Sequence, residues 1–374
     1  MSKTADEGIR LGDLSVIDAD SHVSQGAPEL APYIPDRYSG ARKMIEISEH
    51  PQREIYSYGR TSPPFANDSG NVRDAGDFSN LRADTPEAKL DVMERFDIDR
   101  TVLTPGQNVH LAGVNNDDAA AALSIAYNDW VTETFLDADD SLYGTLSIAP
   151  QKPEEAAAEI ERMADEPDIV GVQFPVSGLT PPAGHRLYLP IYEAAAEHGL
   201  PIVMHGGNSN SQGVFPVQRK WSETFLEDHA FTFPAGLMWQ LITVVMRGIP
   251  ERFPDLEFVL QEAGIAWLPW MMWRLDDHYL QVSFDAPMLQ KQPSEYIKEQ
   301  FYVTTQPLGH TDNTRHMAMA LELAGGAETI MFASDHPHPD FDTPEELFES
   351  LRTRFDAEEI RRMMGETAID VFGL

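Results

Sequence analysis

Val16-Ile17-Asp18-Ala19-Asp20-Ser21-His22-Val23 is an apolar stretch that ends abruptly in polar residues. Side chains alternate across a β-strand, so positions i and i+2 share a side, and Asp20 and His22 converge at the end of this one. A carboxylate and an imidazole that meet where an apolar strand stops are two candidate ligands for a divalent cation. Two further stretches repeat the arrangement. Pro201-Ile202-Val203-Met204-His205 is apolar up to its histidine, and Gly206 and Gly207 behind it let another group approach the backbone closely. Thr329-Ile330-Met331-Phe332-Ala333-Ser334-Asp335 ends in an aspartate flanked by His336 and His338. Each of these strands delivers a metal-competent residue at its C-terminal end, where a barrel of parallel strands builds its active site.

Outward from these stretches the chain alternates strand and helix signals. Strands are expected near residues 16, 101, 143, 170, 202, 257, 302 and 330. Helices are expected over Glu87–Phe96, Asp117–Leu136 (capped by Asn116 or Asp117), Pro153–Ala164, Leu187–His198, within His229–Arg247, over Ala266–Gln281 and over Asn313–Leu323. That alternation predicts an α/β fold, a distorted (β/α)8 TIM barrel closed by right-handed crossovers. A doubly wound open sheet is the alternative, but no G-x-G-x-x-G or P-loop follows the first strand. The segment 24–85 is rich in Pro, Gly, Ser and charge and reads as a long irregular insertion after strand 1. The 374 residues suit one such domain spanning 1–374, finished by C-terminal helices.

Composition narrows the function classes. The formal net charge is −34, and only seven of the 27 basic residues are lysine. Dense acidity with scarce lysine leads us to expect a protein adapted to high salt, where screening makes such a surface tolerable. Fold and activity kept equally in dilute buffer and molar salt would remove that expectation. The same charge argues against nucleic acid and anionic membranes as partners. Cysteine is absent, so any metal ligands are His, Asp or Glu. Met1–Asp13 has no apolar core of a secretion signal, and the most apolar run, Ile265–Trp273, is too short to span a bilayer. A cytoplasmic enzyme is expected. Trp267, Trp270 and Trp273 lie at helical spacing, read as helix-to-barrel packing in preference to an aromatic substrate wall.

The chain resembles the amidohydrolase superfamily, specifically the amidohydrolase-2 type branch related to aminocarboxymuconate-semialdehyde decarboxylase. The resemblance lies in Ile17–His22, Leu200–His205, Arg252–Phe258, Glu262–Pro269 and Ser334–His338. It implies that Asp20 and His22 on strand 1, His205 on strand 5 and Asp335 on strand 8 bind one divalent metal ion, Zn or Mn. Many relatives begin with His-x-His, whereas Asp20 stands first here. The extra carboxylate makes the site harder, so that Mn²⁺ or Mg²⁺ becomes a stronger competitor to Zn²⁺. Glu262 occupies the place after strand 6 where the decarboxylase that names the branch has an acid/base histidine. The resemblance also implies a homo-oligomer, a dimer or larger.

Asp335 and Glu262 are the candidate proton carriers, Glu262 through desolvation near the tryptophans. His229, at the start of a helix after strand 5, and His338, aimed by Pro337 in the loop after strand 8, are further catalytic candidates. His336 is equally consistent with a solvent-facing role. These residues lead to a metal-dependent decarboxylase of an aromatic or unsaturated carboxylic acid. A metal-dependent hydrolase of a C–N, ester or C–C bond is the alternative, and a catalytically silent binding barrel the rival from another class.

Overall fold

A computed structural model describes residues 9–23, 27–47, 84–206, 225–309, 311, 313–338 and 341–374. Eight parallel strands pair in chain order: β1 (Ile17–Val23), β2 (Arg100–Pro105), β3 (Leu142–Ser147), β4 (Ile169–Phe174), β5 (Ile202–His205), β6 (Phe258–Gln261), β7 (Phe301–Thr304) and β8 (Ile330–Met331). The strands are buried on both faces, which is why they read as near-continuous apolar runs. The seam closes through the chain beyond β8. Ala19 donates its N–H to Phe332 O and Asp335 to Asp20 O, both at 2.9 Å, and His22 to His336 O at 2.7 Å. The expected (β/α)8 barrel is the fold observed. Its eighth strand is only two residues long, so Asp335 sits in the segment that follows the strand.

The barrel interior is apolar at its lower end. Ile17 and Ala19 of β1 pack there with Val102, Val170, Val203, Val259 and Met331. Ala368, Val371 and Phe372 of the C-terminal helix Thr367–Phe372 join the same cluster and plug that end. The opposite, C-terminal end is left for polar chemistry. The surrounding helices carry the signals that sequence led us to expect: Asn116 accepts from Ala119 N at 3.0 Å, and Gly199 ends its helix with φ 65°.

Two expectations need correction. Residues 27–47, read as irregular, contain helices at Ala27–Leu30 and Ser39–Ile47 with short 3₁₀ turns between them. Leu30, Ile34, Tyr38 and Ile45 bury their side chains in the main core, and that burial outweighs the Pro- and charge-rich composition. Residues 24–26 and 48–83 of the same segment lie outside the described residues. The tryptophans do not share a packed face. Trp267 is buried, whereas Trp270 and Trp273 are 55% and 58% exposed. Steps of three residues drift by about 60° each on a helix of 3.6 residues per turn. The face that packs is instead Leu268, Met271, Met272 and Leu275 of the helix Trp267–Val282. No helix among the described residues is long and apolar enough to cross a membrane.

Candidate metal centre

The site begins with an irregularity in β1. Strict alternation would place Asp20 on the side opposite Ala19. The β1–β2 register shifts between Asp18 and Ser21, and this bulge turns Asp20 and His22 inward above Ala19. Gln261, at the end of β6, reaches across the barrel and donates from Nε2 to the Ala19 carbonyl at 2.9 Å. Asp18 accepts both the backbone N–H and the hydroxyl of Ser334, tying β1 to the chain behind β8. Burial nevertheless pushes Asp18 up to about 6, against those two Ser334 bonds.

Strands β1 and β5, and the chain just beyond β6 and β8, deliver side chains to one focus. Donor atoms of Asp20, His22 and His205 lie within 4.8 Å of one another, and so do those of His22, Glu262, Asp335 and His338. His22 Nε2 is 3.1 Å from His205 Nε2 and 3.2 Å from Asp335 Oδ1. His205 Nε2 is 3.0 Å from Glu262 Oε2 and 3.7 Å from Asp20 Oδ2. His338 Nδ1 is 2.7 Å from Asp335 Oδ1, and its ring centroid is 4.6 Å from that of His22. His205 Nδ1–H donates to the Gly206 carbonyl, which leaves Nε2 with its lone pair facing the focus. Two imidazole nitrogens about 2.1 Å from a common ion stand about 3.0–3.4 Å apart, so the observed spacing suits shared ligation.

The residues also fit a cation by what they leave unsatisfied. Both carboxylate oxygens of Asp20 and Oδ2 of Asp335 are buried without a hydrogen-bond partner. A buried, unpaired polar atom costs about 1–3 kcal/mol, and more when charged. A divalent cation at the common focus removes that cost. Burial holds His22 down to about 3, so its imidazole is neutral and free to ligate. Burial alone would raise Asp335, but His338 and His22 override it and hold this carboxyl below its usual range.

Backbone strain marks the same place. Glu262 and Asp335 take φ values of 53° and 60°, in the left-handed region that non-glycine residues avoid. Such conformations cost about 1–3 kcal/mol and persist only where the surroundings over-determine them. The close approach expected at Gly206 is made by the Glu262 carbonyl: a Cβ added at Gly206 would lie 2.5 Å from that oxygen and 2.8 Å from the Phe233 ring. Gly206→Ala is therefore expected to destabilise the fold by about 1–3 kcal/mol, read as a shift in denaturation midpoint. An unchanged midpoint would contradict the clash.

Asp20 gives the centre a pH dependence. Burial pushes its carboxyl up to about 7, partly opposed by His205. A carboxyl raised in the folded state favours the metal-free fold at low pH, and that contribution is lost as pH rises through about 7. A bound cation keeps the carboxylate ionised instead. The Mn²⁺-induced rise in Tm should therefore be larger at pH 8 than at pH 5.5. Apparent affinity should fall about tenfold per pH unit below 7. Differential scanning fluorimetry with and without Mn²⁺ checks this, and a pH-independent shift would contradict it.

The structure thus brings together Asp20, His22, His205, Glu262, Asp335 and His338. His229 falls in the helix Phe225–Met246, with its side chain outside the described residues. His336, open to a solvent-facing reading, is buried and 2.7 Å from Lys89 Nζ. Sequence reasoning passed over Lys89 and Asp18. Lys89 shares the apolar face of its helix with Val92 and Met93, at spacings of three and four, and that was the available signal.

The class that fold and site define is that of parallel-barrel proteins with imidazole and carboxylate donors converging at the C-terminal mouth, in groups that could hold a metal ion. The amidohydrolase family model matches residues 17–374, and the chain belongs to that family. The chain is similar to gamma-resorcylate decarboxylase of Polaromonas sp. strain JS666, 23% identical over 307 residues, 78% of this chain and 89% of the relative. In fold it resembles 5-carboxyvanillate decarboxylase from Sphingomonas paucimobilis, with a TM-score of 0.69 at 20% identity over 96% of this chain and 99% of that one. It also resembles dihydroxybenzoic acid decarboxylase from Polaromonas sp. JS666, solved with bound manganese and 2-nitroresorcinol. There the TM-score is 0.67 at 16% identity, over 96% of this chain and 97% of that one.

Proposed function

We propose that this chain is a decarboxylase of aromatic carboxylic acids that works with one divalent cation held by Asp20, His22, His205 and Asp335. The observation that carries the proposal is the buried donor set in which both Asp20 carboxylate oxygens and Oδ2 of Asp335 have no hydrogen-bond partner. Beside it stands Glu262, a carboxylate not needed to complete the set. Two carboxylates among four ligands make a harder site than imidazoles alone, which favours Mn²⁺ over Zn²⁺. The decarboxylases among the relatives, and the manganese in one of them, support both halves of this reading.

The cation, when bound, supplies a Lewis acid for the substrate's carboxylate and a neighbouring ring oxygen. Asp335 is held anionic by the His338 imidazole, 2.7 Å from its Oδ1, which suits a ligand and not a proton donor. Glu262, buried and 3.0 Å from His205, is left to hold the proton. Protonated Glu262 delivers that proton to the ring carbon bearing the carboxylate. The carbon–carbon bond then breaks, CO₂ departs, and the electron pair restores the aromatic ring. Solvent reprotonates Glu262. His338, at the open side of Asp335, keeps that carboxylate oriented.

Elemental analysis of the purified protein, followed by turnover of hydroxylated benzoates in D₂O, tests this. CO₂ release with one deuterium at the vacated ring position is expected. Incorporation of ¹⁸O from water into an acid product would mark a hydrolase instead.

A further inference from the structure

Lys89 lies on the helix Pro86–Arg95 and is only 1% exposed. Lysine is almost never buried to this degree unless its donors are paired. Here Nζ reaches Ser21 Oγ and the His22 carbonyl, each at 2.8 Å, and His336 Nδ1 at 2.7 Å. Three acceptors match the three N–H bonds of an ammonium, so none of its donors is left over. Two of these acceptors lie in β1, immediately beside Asp20 and at His22 itself. The third follows Asp335 in the segment behind β8. The lysine therefore bridges the two stretches of chain that supply three of the four proposed ligands.

We propose that Lys89 is a positioning residue of the metal centre. It ties the end of β1 to the segment behind β8, so that Asp20, His22 and Asp335 keep their spacing. By donating to His336 Nδ1 it also holds that ring in the tautomer whose proton is on Nε2. It touches neither substrate nor cation, and its role rests on the metal-dependent reading above. Side chains that orient ligands from behind change metal affinity about 10–100-fold when removed. The competing account is purely electrostatic. A positive charge close to Asp18, Asp335 and Asp20 repels a second cation, so on that account removing it would tighten metal binding. The two accounts differ in sign.

The test is Mn²⁺ binding to the full-length protein, by EPR titration and chelator competition. Lys89→Met should weaken binding about 10–100-fold and broaden the Mn²⁺ signal, with far-UV circular dichroism unchanged. Binding that is equal or tighter would overturn the proposal. Should Lys89→Met fail to fold, His336→Phe carries the test, because it removes one acceptor and leaves the two β1 bonds. It should weaken Mn²⁺ binding to a smaller extent, and an unchanged affinity would overturn the proposal. The double variant should bind no worse than Lys89→Met, since His336 acts through its one contact with Lys89, whereas additive losses would separate the two residues and overturn the coupling. A wild-type protein that binds no Mn²⁺ would end the metal-dependent reading itself. Normal wild-type binding with no effect in the variants would end only the role of Lys89.

Discussion

His205→Ala should lose the metal ion and, with it, turnover. Four side chains around one cation share its binding free energy, about 10–16 kcal/mol for a protein-held Zn²⁺. Removing one ligand then costs on the order of 3 kcal/mol, a weakening of roughly 100-fold. The loss at His205 should be no smaller than that average. Its Nε2 faces His22 Nε2 at 3.1 Å, and its other nitrogen is already fixed on the Gly206 carbonyl. No neighbouring imidazole lies on β5 to replace it. Dialysed His205→Ala should carry little metal by elemental analysis, and Mn²⁺ should no longer raise its Tm. A variant that kept both the ion and the thermal response would remove His205 from the ligand set.

Glu262→Gln should separate chemistry from metal binding. The amide keeps the size of the side chain and its place beside His205 but cannot carry a proton to carbon. Losing a general acid typically costs about 10²–10⁴ in rate, so kcat should fall by that factor. Metal content and the Mn²⁺ EPR signal should change little, because Asp20, His22, His205 and Asp335 remain. The strained backbone at φ 53° would persist, since the surrounding chain imposes it. Turnover at the wild-type rate would exclude Glu262 as the proton carrier. Loss of metal together with activity would place it among the ligands instead, a position its closeness to His22 and Asp335 allows.

Much of this arrangement was legible in local sequence. Runs such as Ile202–His205 and Phe258–Gln261 state their own burial, because a strand covered on both faces is apolar up to its end instead of alternating with polar residues. Histidine or aspartate at the end of such a run is conspicuous for the same reason. Lys89 was legible only as a lysine spaced three and four from Val92 and Met93 on the apolar face of its helix. What its ammonium does there is explained only by the acceptors of β1 and the β8 segment. The outer tryptophans misled. Apolar character is a property of the residue, whereas which side of the helix Trp267–Val282 meets the barrel is settled by its neighbours.

The chain alone determined the alternation of strands and helices, the parallel barrel that follows from it, and the donor types that arrive at the strand ends. These depend on hydrophobic patterning over a few residues. Only the folded molecule decided that Asp20 faces inward, because the bulge between Asp18 and Ser21 exists only through the pairing of β1 with β2. It decided too that Asp335 meets His22 and that Lys89 reaches His336. Those contacts join segments far apart in the chain, and closure of the barrel seam is what brings them together.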